Sequence, residues 1–250
     1  MRGLYVYKRE VGTEATVNTL RPYGVWNQAV TARDTGPDGR AGTADDGAFI
    51  TFYDYSPDYR GSRFVASTIV NGPDRPSSFH NVEMTLQRRE ADNWFGSTSF
   101  LLTKSHRWLK SVVETPNDLF FPLDNTWTWQ YRLTAGYMMP AGIRISTLMQ
   151  VDNGFKGLRT VQFAAPTSGI ISRPVEPFGA SQGPTRTIVN LRVTKEFALG
   201  HGRFGLNADV FNLLNTNADW GQNLVSGPTF GYVTALPDPR VLRLGASYQF

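Results

Sequence analysis

Three aspartates in one short segment could hold a calcium ion. From Asp34 to Gly47 the chain reads Asp-Thr-Gly-Pro-Asp-Gly-Arg-Ala-Gly-Thr-Ala-Asp-Asp-Gly. A twelve-residue calcium loop puts oxygen ligands at positions 1, 3 and 5, glycine at 6 and a bidentate glutamate at 12. Counted from Asp34, Asp38 and Gly39 fall on positions 5 and 6, and Asp45 on 12. Position 3 is Gly36, however, and the last ligand is the shorter aspartate. These departures favour the plainer reading, an Asp/Gly/Pro turn cluster between two strands.

Other chemistry-bearing residues are sparser. His80, His106 and His201 are far apart and lack metal-ligand spacing, so they read as surface positions. Asn190, Arg192, Thr194, Glu196, Asn207 and Asp209 fall on one side of two adjacent alternating segments, where they could line a hydrated wall. Tyr53, Tyr55, Tyr59 and Trp220 lie in connecting segments, where rings could stack on sugars or aromatic ligands, or simply stiffen the loops. Catalytic motifs are missing: there is no G-x-S-x-G, H-E-x-x-H, P-loop or dinucleotide fingerprint. The sequence reads as a non-enzyme.

The segments that must carry these residues alternate with a period of two. In 127–139, Trp127, Trp129, Tyr131, Leu133, Ala135, Tyr137 and Met139 take every odd position, with Thr128, Gln130, Arg132, Thr134 and Gly136 between them. A helix would scatter these side chains around its circumference, whereas a strand gathers them on one face. The same reasoning predicts eight strands, at 3–8, 79–89, 94–105, 127–139, 142–152, 186–198, 203–213 and 240–250. A further hairpin is expected at 24–33 and 48–54. Aromatics reach 13% while apolar residues make up only 40%. No run approaches the roughly 18 apolar residues of a membrane helix. There is no cysteine, hence no disulfide or thiolate metal site. The net charge of +4, with a pI near 9.4, is spread without a basic run, which argues against a nucleic-acid partner.

Connections differ sharply in length. The turns at 90–93, 140–142 and 199–202 are short, while 106–126, 153–185 and 214–239 run to about twenty residues or more, and 10–78 forms one excursion. Short turns on one side and long loops on the other are the habit of outer-membrane barrels. Counting up and down places Phe250 at the short-turn, periplasmic rim. The opening Met1-Arg2-Gly3-Leu4-Tyr5-Val6-Tyr7-Lys8 has no apolar export segment or cleavage site. Either the chain is not exported, or its true amino terminus lies upstream.

The last strand carries a resemblance. Leu244, Ala246, Tyr248 and Phe250 alternate with Arg243, Gly245, Ser247 and Gln249. Arg243, Gly245, Tyr248 and Phe250 fill the positions of a pattern that resembles the terminal assembly signal of Gram-negative outer-membrane proteins. The stretch Asp209-Val210-Phe211-Asn212-Leu213-Leu214-Asn215-Thr216 and the closing Pro239-Arg240-Val241-Leu242-Arg243-Leu244-Gly245 resemble the end of TonB-dependent outer-membrane receptors. Asn81-Val82-Glu83 through Gln87-Arg88-Arg89, with Trp94 and Ser99-Phe100, is similar to a hairpin of the same receptors, and the Asp34–Gly47 loop resembles their Oar-like branch.

That resemblance implies an all-β, antiparallel transmembrane β-barrel segment of about eight meander strands. Such receptors close about 22 strands around a plug domain, and neither the remaining strands nor a plug is present. Residues 1–250 would then be the carboxy-terminal barrel portion, an incomplete barrel not transport-competent alone. The implied function is part of an active-uptake receptor for a scarce large nutrient, such as a siderophore or a glycan. The implied location is the cell outer membrane. Implied partners are outer-membrane lipid, the barrel assembly machinery, a TonB-type energy-transducing complex reached through the missing amino-terminal part, and an unidentified substrate. Two other readings stay open: a complete eight-stranded barrel with adhesive or structural loops, in which 3–8 pairs with 240–250, and a secreted β-rich module binding calcium or glycans.

Overall fold

A computed structural model describes residues 1–72, 75–110 and 112–250. All eight expected strands form, in one antiparallel meander. They are β1 (Arg2–Glu10), β2 (Ser77–Ala91), β3 (Trp94–Trp108), β4 (Trp127–Met139), β5 (Ile143–Asp152), β6 (Arg186–Leu199), β7 (Gly202–Phe211) and β8 (Val241–Gln249). Each pairs with its neighbours in chain order, and a two-residue strand, Leu123–Asp124, adds to the end of β3. β1, β2, β3 and β6 run longer than alternation alone predicts, because cross-strand pairing continues beyond the alternating stretch, whereas β5, β7 and β8 end slightly short of it. β1 pairs only with β2 and β8 only with β7, so the sheet is open along both outer edges. No closed barrel forms among the described residues.

Turn chemistry sets one side of the sheet. Asp92 and Asn93 join β2 to β3 with φ of 52° and 66°, the left-handed pair a tight hairpin needs. Gly200 does the same between β6 and β7 at φ 58°. Between β4 and β5 the position falls to Ala141, at φ 66°. A Cβ is disfavoured there by roughly 1 kcal/mol. Ala141→Gly should therefore raise stability by ~0.5 kcal/mol once the looser unfolded chain is counted, as read by equilibrium denaturation. Gln249 lies opposite Arg203, so the chain ends on this turn side, as strand parity requires.

The other side differs from expectation. The long connections are not structureless, because they fold onto one another as a cap. Glu14–Asn18 pairs with Ser67–Asn71, extending the β1–β2 hairpin outwards. Gln28–Arg33 pairs with Phe49–Asp54, the expected hairpin with a later start. Thr160–Ala165 pairs with Gly169–Pro174 inside the connection read as plain loop. Its short alternation, Val161, Phe163 and Ala165 inward with Gln162 and Ala164 outward, is hidden between glycine- and proline-rich flanks. Phe52, Val161, Phe163, Ala165 and Ile171 form the core, with Phe52 and Phe163 stacked at 4.7 Å.

Candidate functional site

Register sorts the large sheet into two unlike faces. One face carries Val82, Met84 and Leu86 of β2, opposite Leu102, Phe100 and Thr98 of β3. It continues through the odd residues of β4 to Ile145, Met149 and Val151, then Val189, Leu191 and Val193 of β6. It ends on Phe204, Leu206, Ala208 and Val210 against Tyr248, Ala246, Leu244 and Leu242. Rings gather at two levels of this face. Near the turns, Trp94 faces Tyr137 and Phe197 faces Phe204, which faces Tyr248. Towards the cap lie Phe100 opposite Tyr131, Trp129 opposite Leu102, and Trp127 opposite Lys104. Among the described residues nothing packs over this face: Met84, Tyr137, Leu206 and Leu244 are 44–74% exposed. Every buried apolar side chain among the described residues belongs to the cap.

The opposite face holds a polar wall. Asp209, 3% exposed, is gripped from both sides. Arg192 of β6 donates to its Oδ1, while Arg243 of β8 donates Nε and Nη2 to its Oδ2 at 2.9 and 2.8 Å. Such charge-assisted bonds across three strands also pin their register. Thr194 and Asn207 face each other beside this group, Glu196 approaches Arg203, and Asn190 accepts the backbone N–H of Asn212 at 2.9 Å. The six residues singled out in the sequence therefore do share one wall. Arg243 completes its central ion group, a role that its place in the terminal pattern did not suggest. Gly245 sits opposite Asn207 on this wall, where a Cβ would crowd the amide. Tyr248 and Phe250 turn to the apolar side, rings 6.4 Å apart.

Arg159 organises the cap. Its guanidinium donates to both oxygens of Asp34 at 2.7 Å, to Ser226 Oγ at 3.0 Å and to Glu176 at 3.4 Å, tying together three separate connections. Backbone bonds run alongside, from Thr160 N–H to the Leu224 carbonyl and from Gly227 N–H to the Pro37 carbonyl. The bond from Arg159 holds the Asp34 carboxyl below the usual carboxylate range, and Asp34 in turn raises the Arg159 guanidinium. Asp54, 2% exposed, accepts the N–H groups of Tyr55, Thr167 and Ser168. Asn117 uses its amide as a surrogate strand, giving to the Tyr53 carbonyl and accepting its N–H. Arg173, 5% exposed, donates to the Thr51 carbonyl and lies over the Phe120 ring, and burial pushes its guanidinium down to about 10.

The candidate calcium ligands are engaged as follows. Asp34 faces Arg159; Asp45 accepts from Thr43 Oγ1 and the Asp38 N–H; Asp38 accepts from the Arg40 N–H. The Thr43 bond holds the Asp45 carboxyl below its ordinary range. Among the described residues no three acidic or histidine side chains are assembled to share an ion. His80 meets the Tyr5 hydroxyl at 2.8 Å, and the three histidines do not converge. Tyr55 is packed against Trp26, and Tyr59 against Phe64, whereas Trp220 stays half exposed. Arg159, Asp54 and Asn117 escaped sequence reasoning because their partners lie far off in the chain. Only Asn117 left a local signal, the Thr115-Pro116-Asn117-Asp118 capping box. No family model matches the chain, and no curated protein or solved structure matches it.

Proposed function

We propose that this chain is part of the wall of an outer-membrane TonB-dependent receptor that takes up a scarce large nutrient. The observation that carries the reading is the uncovered apolar face, continuous over eight strands that bury no apolar side chain of their own. In water such a face is costly at about 25 cal/mol per Å²; against lipid it is the natural solvent boundary. The spacing of the rings supports it. Trp127 and Tyr137 stand ten residues apart on β4, roughly 33 Å of strand. A strand tilted by ~45° reduces that to about 23 Å, close to the apolar band of such barrels.

On this reading the cap is extracellular, the polar wall faces the lumen, and Arg243, Gly245, Tyr248 and Phe250 are read by the assembly machinery. The free edges of β1 and β8 would meet further strands, since unpaired backbone groups cost several kcal/mol each in hydrocarbon. Uptake then depends on parts beyond these strands that engage a TonB-type partner. The test uses the tryptophans. With the full chain reconstituted in phospholipid vesicles, Trp94, Trp127 and Trp129 should be quenched by lipids brominated along the acyl chain. A chain that is a monodisperse monomer without detergent, its tryptophans quenched by aqueous iodide instead, would overturn the proposal.

A further inference from the structure

A cavity of about 520 Å³ opens where the polar wall meets the last long connection. Its floor is built from three adjacent strands: Ile188 and Asn190 of β6, Phe211 of β7 and Val241 of β8. Trp220 and the Pro237-Asp238-Pro239 segment form the opposite side. The volume lies in the range of small-molecule sites, which are concave, largely apolar and marked by a few placed polar groups.

The site is held in shape from beneath. Asn212, 4% exposed and at φ 47°, donates its amide to the carbonyls of Thr216 and Asp238, at 3.0 and 2.9 Å. Its own N–H is held by Asn190 Oδ1, and the Trp220 N–H by the Ala235 carbonyl. A left-handed asparagine used this way fixes the connection at both ends and brings Trp220 and Asp238 over the strands. Trp220 nevertheless leaves 52% of its surface open, an unusual state for an indole whose backbone is so firmly tied.

We infer that this cavity binds a neutral pyranose unit, stacked on Trp220 and Phe211 and hydrogen-bonded to Asn190 and Asp238. The rings and prolines offer flat apolar platforms for the C–H face of a sugar. Asn190 Oδ1 is taken by the Asn212 N–H, so Nδ2 is the group of that amide left to donate to a ligand, and Asp238, in the same lining, supplies an acceptor for hydroxyls. An organic cation fits less well. Each ring already has a guanidinium over it, Arg186 at 5.2 Å from Trp220 and Arg243 at 5.0 Å from Phe211, so a second cation there meets like charge. Arg186 is paired with Asp152, and Arg243 shares Asp209 with Arg192; the Asp238 carboxylate in the lining offsets the remaining positive charge and disfavours an anion beside it.

The inference stands whether or not the apolar face meets lipid. It is tested on the full chain, in detergent or in buffer as its solubility dictates, with maltotetraose, cellotetraose and methyl glucoside as probes and tetramethylammonium as the contrast. Saturable sugar-dependent change in tryptophan emission is expected, absent in Trp220→Phe for the Trp220 signal. By saturation-transfer NMR, Trp220→Ala and Asn190→Ala should each weaken binding by about tenfold. Strand-rich circular dichroism serves as the folding check, and Trp220→Phe carries the platform test if the alanine variant does not fold. Saturable binding of tetramethylammonium alone, no binding by any of the three sugars, or undiminished binding in Asn190→Ala would each overturn it. A soluble chain that binds sugar refutes the membrane proposal and leaves this one standing; an inserted chain that binds none does the reverse.

Discussion

Leu133→Arg is expected to destabilise the protein in phospholipid vesicles by about 2–4 kcal/mol, the cost of a cation near the middle of a barrel's lipid face. Leu133 sits on the apolar face between the two levels of rings, opposite Thr98 of β3 and Met149 of β5. Its chain neighbour Thr134 points to the polar wall, opposite Ser97 and Leu148. Thr134→Arg should therefore stay within ~0.5 kcal/mol, as ordinary solvated substitutions do. Guanidinium unfolding from vesicles measures both. The contrast has a sign that water cannot imitate. If the apolar face met water, arginine at 133 would be the milder change and would improve solubility. Equal, small effects at both positions would sink the lipid-facing reading of the sheet.

The second large effect concerns the cap. Arg159→Met leaves the Asp34 carboxylate buried with little more than the Gly36 N–H, at 3.0 Å. Breaking a buried pair from one side costs about 3 kcal/mol. The loss should be local, because the pair joins connections and not sheet strands. Amide exchange and limited proteolysis should show faster opening at 34–47 and 224–228, with β1–β8 unchanged. Adding Asp34→Asn to Arg159→Met should recover part of the loss, since it removes the stranded charge. Acid should act like the mutation. The folded pKa of Asp34 lies below its ordinary 3.8, so its contribution is fully present above that value. It is lost as pH falls through the folded value, where protonation ends the ion pair. Protection of the cap that survived both Arg159→Met and strong acid would show that Arg159 is incidental to it.

The strands were legible because the period of two is local. Trp127 to Met139 announces its face without reference to any partner, and both ends of that strand are correctly placed. The tight turns were legible for the same reason, through Asp92-Asn93 and Gly200. The cap was not. Phe163 and Ile171 are inward only because Phe52 arrives from another part of the chain. Arg159 is one arginine among many until Asp34 is brought to it. The polar wall lies between these cases: alternation placed Arg192 and Asp209 on one side, but only register across β7 and β8 made Arg243 their third member. The aspartate loop shows the converse, a local pattern whose first carboxylate has its partner 125 residues away.

That distance makes the cap depend on the sheet. Asp34 and Arg159 are 125 residues apart, and Asp54 and Thr167 are 113 apart. Closing such spans on a free chain is entropically unfavourable and slow. The five strands β1–β5, paired neighbour to neighbour, remove most of that search by delivering the two connections to the same edge. The cap can then close only over a correctly aligned sheet. A one-residue slip in any of those hairpins turns a strand's faces over and carries Asp34 and Arg159 out of reach of each other. The closed cap is thus a report, from the far end of the molecule, that the strands beneath it have found their proper partners.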